Sequence, residues 1–114
     1  MIEKIIYDYL NSLDELPVAV YTEVPETRPS RFYLIERTGE IITDRIQTAT
    51  IAIKSHGDSL YDAIDLNNKV ITAMLDSLIT LDSISGVKLN SAYNFTDTTT
   101  KTYRYQAVFV VTYY

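Results

Sequence analysis

Tyr103-Arg104-Tyr105-Gln106-Ala107-Val108-Phe109-Val110-Val111-Thr112-Tyr113-Tyr114, preceded across a threonine-rich turn by Val87-Lys88-Leu89-Asn90-Ser91-Ala92-Tyr93-Asn94-Phe95, reads as a long β-hairpin. In the first strand Val87, Leu89, Ser91, Tyr93 and Phe95 share one face, and Lys88, Asn90, Ala92, Asn94 and Thr96 share the other. A turn around Thr98 and Thr99 sets Phe95 opposite Tyr103, Tyr93 opposite Tyr105, Leu89 opposite Phe109 and Val87 opposite Val111, all on one face. Aromatic cross-strand pairs of this kind stabilise a hairpin by roughly 0.2–1 kcal/mol each, and a slip of one residue destroys the match. The second strand is apolar on its other face as well, through Val108, Val110 and Tyr114. One face suffices for a domain's own helices, so the second predicts a contact outside the core.

Upstream of the hairpin, Ser55-His56-Gly57-Asp58-Ser59 ends a strand and offers Asp58 or Ser59 as the N-cap of a helix. That helix runs to about residue 78 with Leu60, Ala63, Ile64, Val70, Ile71, Met74, Leu75 and Leu78 on its apolar face and Asn67 as the one polar intruder. Residues 2–15 form a first amphipathic helix, with Ile2, Ile5, Ile6, Tyr9, Leu10 and Leu13 at helical spacing, stopped by Pro17. Alternation from Val18 to Val24 predicts a first strand, residues 31–38 a second, and residues 46–54 a third with Ala49, Ile51 and Ile53 inward. Pro25-Glu26-Thr27-Arg28-Pro29 is a stiff exposed loop, and residues 40–45 either connect the second and third strands or extend both into a hairpin arm. The order α-β-β-β-α-β-β over residues 1–114 predicts a single α+β domain, a five-stranded, mainly antiparallel sheet with two helices on one face.

The length of 114 residues supports one hydrophobic core without metal or disulfide staples. Ten tyrosines against three phenylalanines and no tryptophan suit half-buried sheet surfaces and interfaces, or reflect β propensity alone. A net charge of −5 argues against a protein that grips nucleic acid by neutralising phosphates. No cysteine is present, which fits a reducing cytoplasm, and no apolar run approaches a membrane span.

Residue chemistry points away from catalysis. His56, Asp58 and Ser59 contain the residue types of a hydrolase triad, but within one tight turn they read as a strand end and a helix cap. One histidine and scattered acids give no metal-ligand spacing, three separated glycines form no phosphate loop, and no cofactor is predicted. Arg28, Arg31, Arg37 and Arg45, interspersed with Glu26, Glu36, Glu40 and Asp44, suggest ion pairs between subunits or a solvated surface.

Two segments, Val24-Pro25-Glu26-Thr27-Arg28-Pro29-Ser30-Arg31-Phe32-Tyr33-Leu34-Ile35-Glu36-Arg37-Thr38-Gly39 and Tyr93-Asn94-Phe95-Thr96-Asp97 with Tyr103-Arg104-Tyr105-Gln106-Ala107-Val108-Phe109, resemble the small tail terminator proteins of long-tailed phages and prophages. These are also described as tail completion or tail-to-head joining proteins. Glu40 departs from the family, which often has a second glycine after Thr-Gly. The resemblance implies a structural protein of the virion, assembled in the host cytoplasm. It forms a ring, usually of six copies, that caps the tail tube protein, meets the head connector and lets DNA pass without sequence-specific binding. On that reading Arg28, Arg31, Arg37, Glu40, Ile41, Ile42, Asp44 and Arg45 around the loop and arm, with Val108, Val110 and Tyr114, are the candidate interface. The alternatives are a head-closure protein of the same virion neck and a small α+β ligand-binding domain with a pocket near His56.

Overall fold

The computed structural model describes residues 2–27 and 29–114. Among them are two α-helices, α1 (Ile2–Asn11) and α2 (Leu60–Thr72), and five strands, β1 (Val20–Tyr21), β2 (Phe32–Thr43), β3 (Ile46–Gly57), β4 (Ile84–Asn94) and β5 (Tyr103–Tyr113). The strands form one sheet in the order β1-β2-β3-β5-β4, antiparallel throughout except for the β1–β2 pair. The α+β architecture expected from the element order is the one found.

Period-2 alternation divides the sheet into two faces. Tyr33, Ile35, Ala49, Ile51, Ile53, Ala107, Phe109 and Val111 pack in one cluster with Ile2, Ile6 and Leu10 of α1 and Leu66 and Val70 of α2, so both helices cover the same face. The buried Tyr33 hydroxyl donates to the Leu66 carbonyl oxygen (2.7 Å), and burial pushes its phenol well above the ordinary tyrosine value. Past Thr72 the helical path widens into a π-type turn (Ala73–Ser77) and closes as a 3₁₀ turn (Leu78–Thr80), keeping Met74 and Leu78 buried. Tyr9 of α1 donates its hydroxyl to the Ser77 carbonyl there (3.0 Å).

Three expectations need correction. The first helix stops at Asn11 rather than at residue 15, and the first strand shrinks from 18–24 to Val20–Tyr21, paired parallel to Tyr33 and Leu34. Asn11 explains both, because its side-chain amide binds the Val20 backbone from the helix end. In the C-terminal hairpin, Val87 does face Val111 and Leu89 does face Phe109. A bulge between Leu89 and Ser91 then shifts the ladder, so that Tyr93 faces Gln106 and Asn94 faces Tyr105. Tyr93 and Phe95 therefore lie on the sheet face opposite the helices, and the expected Tyr93–Tyr105 and Phe95–Tyr103 pairs do not form. The ambiguous segment 40–45 resolves as an arm, with β2 and β3 continuing paired out to Thr43 and Ile46.

Candidate subunit interface

The arm exists because the sheet narrows. Gln47 opposite Tyr113 is the last rung between β3 and β5, so residues 41–46 have no third strand beside them. Ile41, Ile42 and Ile46 consequently remain 67%, 65% and 45% exposed, although isoleucine is among the residue types most often buried. Asp44 and Arg45 close the tip with φ of 51° and 70°, the left-handed pair a two-residue hairpin turn requires and which Asn-Gly fills at least cost. The base of the arm is clamped. Arg37 pairs with both Glu40 and Glu3, the latter at 3.6 Å, and the Tyr113 hydroxyl donates to Glu40 Oε2 (3.0 Å). The neighbouring carboxylates raise the Arg37 pKa further, and burial together with the Glu40 hydrogen bond raises that of Tyr113.

Opposite the helices, the sheet carries Leu34, Thr50, Val108 and Val110 half-buried, with Ala52 fully buried between them. Toward the hairpin end this face becomes aromatic and cationic. Phe95 has the Arg104 guanidinium 4.6 Å and the Lys54 ammonium 5.4 Å from its ring centroid, and Tyr93 meets it edge-on. Gln106 donates its side-chain amide to the Tyr93 hydroxyl (2.6 Å). Reasoning from alternation alone missed Tyr93 and Phe95 as surface groups, because the bulge at Asn90 reverses the faces of β4 beyond it, whereas Lys54 and Arg104 keep the outward positions that alternation gives them on β3 and β5. The adjacent polar residues Asn90 and Ser91, which interrupt the alternation after Leu89, were its one local signal.

The remaining candidates scatter. Arg31 forms a two-pronged pair with Asp62 (2.8 and 3.0 Å) inside the chain, and the Arg31 hydrogen bond holds the Asp62 carboxyl below the usual carboxylate range. Arg31 and Arg37 are thus both engaged within one subunit. Tyr114 is exposed beyond the end of β5, its N–H donating to the Ser83 carbonyl (3.0 Å). Arg28 lies outside the described residues.

His56 is buried and stacked on Phe32, ring centroids 4.2 Å apart. Ser59 caps α2, its Oγ accepting the Asp62 N–H (3.1 Å), while Asp62 Oδ2 in turn accepts the Asp58 N–H (3.0 Å). Beside this turn an open cleft of about 450 Å³ runs between Pro29-Ser30 and the hairpin end at Lys101-Tyr103, with His56 and Asp58 in its wall. Among the described residues no group of three or more His, Asp or Glu side chains is placed to hold a metal ion, and no helix is long and apolar enough to cross a membrane. No protein-family model matches the chain, and comparison with curated proteins finds no match.

Proposed function

We propose that the chain is a structural subunit of a phage tail, a tail terminator whose copies form a ring, of six by the resemblance, that caps the tail tube and joins it to the head connector. The observation that carries this reading is the division of the molecule into two unlike surfaces. One is a sheet face without helices that holds Val108 and Val110, and the other is an arm that exposes Ile41, Ile42 and Ile46. Two different surfaces on one chain are what a head-to-tail contact needs, and such contacts close into rings when the rotation permits. The segment resemblance supplies the setting, and the net charge of −5 suits a lumen that DNA traverses without adhering. On this reading the protein acts by geometry and catalyses nothing.

Negative-stain imaging of the purified protein mixed with tail tubes tests it. Rings seated on tube ends are expected, and a chain that stays monomeric at every concentration and leaves the tubes bare overturns the reading. Co-sedimentation with tail tubes rather than with tailless heads separates it from a head-closure role. The cleft beside His56 and Asp58 favours a second reading, a small-ligand domain. A metabolite screen by thermal shift, repeated on His56→Ala, tests that reading: ligand-specific stabilisation lost in the variant supports it.

A further inference from the structure

We propose that the arm tip of one copy seats on the open sheet face of the next, with Ile41 and Ile46 over Val108 and Val110 and the Asp44 carboxylate against the Lys88 ammonium. This rests on the ring reading above and names the two surfaces that meet. Ile41 and Ile46 fall on the same side of the arm, since Ile46 opposes Thr43 and Ile41 opposes Thr48, so they present one apolar edge. On the receiving face Lys88 stands directly across the ladder from Val110, and it has no ion pair among the described residues. Asp44 at the arm tip likewise has none.

Charge decides the occupant. The chain carries a net charge of −5, yet the outward strand positions of the receiving face hold Lys54, Lys88 and Arg104 against the single acid Glu36. A cationic, partly apolar face on an acidic protein fits a partner that offers an apolar edge and a carboxylate, and the arm of a second copy offers both in Ile41, Ile46 and Asp44, with Arg45 next to Asp44 in the turn. The arm cannot fold back onto its own sheet, because it is the paired continuation of β2 and β3, past a bulge between Arg37 and Gly39. The contact is therefore between copies, and on the ring reading it repeats head to tail. The clamp of Arg37, Glu40 and Tyr113 holds the tip in place before docking, which reduces the ordering cost of association.

The absence of cysteine makes a direct test available. Thr43→Cys and Lys88→Cys are introduced together in the full chain, and disulfide formation is driven by mild oxidation. A ladder of covalent oligomers that reductant collapses is expected. The control pair Thr43→Cys with Tyr61→Cys, the latter 82% exposed on α2, stays monomeric. In parallel, Asp44→Lys and Lys88→Asp each weaken assembly by roughly tenfold, and the double exchange restores it. Rings from the wild-type chain with neither ladder nor restoration overturn this docking and leave the ring reading intact. A wild-type monomer with no ladder overturns both. A covalent product with the tube subunit in place of a second copy also overturns it and reassigns the face.

Discussion

Asn11 takes both backbone hydrogen-bonding groups of Val20: its Nδ2 donates to the Val20 carbonyl (3.1 Å) and its Oδ1 accepts the Val20 N–H (2.9 Å). One side chain thereby stands in for a strand on the outer side of β1 and joins the end of α1 to the sheet edge. Asn11→Ala leaves a donor and an acceptor on a buried residue without their partner, so it should lower stability by about 1–3 kcal/mol. Asn11→Asp keeps the acceptor alone and should fall between. Urea denaturation of the three proteins checks the order, and an alanine variant as stable as the parent would show that water replaces the amide.

Gly57 marks a close approach of β3 to α2. A Cβ built there would lie 2.5 Å from the Ala63 backbone nitrogen, a clash that no side-chain rotation relieves. Gly57→Ala should therefore cost about 1–3 kcal/mol by forcing the strand and helix apart. The same change at Gly86, where the nearest atom is Thr112 Cβ at 3.9 Å, should be neutral or slightly stabilising, since alanine loses less entropy on ordering. Paired thermal melts of the two variants make the comparison.

These contacts mark the boundary of what sequence pattern conveys. Alternation identified Ala49, Ile51 and Ile53 as core and the Val87–Val111 and Leu89–Phe109 rungs as register, because both follow from period 2. The bulge beyond Leu89 has no glycine or proline to announce it, and a single extra residue turned Tyr93 and Phe95 to the other face. Alternation over residues 18–24 suggested a full strand, but only Val20 and Tyr21 have a neighbour to pair with. Ile41, Ile42 and Ile46 look like core residues in isolation. They are exposed because β5 ends at Tyr113, a fact of the whole sheet and not of the local segment. The candidate interface is thus the part of the molecule that depends most on long-range register.

Asp62 makes the stability of the loop-to-helix junction depend on pH. The Arg31 hydrogen bond, and more weakly the Asp58 N–H, hold its folded-state pKa below the unfolded value of about 3.9, against the opposing effect of burial. A depressed carboxyl contributes stability that is present above the unfolded value and is lost as pH falls through the folded one. Asp62→Asn should therefore be less stable than the parent by about 1–2 kcal/mol at pH 7, with the gap closing as the pH falls below about 4. Denaturation midpoints measured from pH 7 down to pH 2 test this, and a gap that stays constant would assign the loss to packing instead of charge.

Ile41 and Phe109 separate folding from assembly. Phe109 is fully buried in the layer beneath both helices, so Phe109→Ala should cost about 3–5 kcal/mol. Ile41 exposes 67% of its surface on the arm, and Ile41→Asp should change monomer stability by no more than about 0.5 kcal/mol. If the arm is an interface, the ranking inverts when association is measured. Ile41→Asp should abolish rings in sedimentation velocity, because it places a carboxylate where the neighbour's valines meet the arm, while any Phe109→Ala protein that remains folded still associates. Equal losses of stability in the two variants would place Ile41 in the chain's own core, and full assembly by Ile41→Asp would remove the arm from the interface.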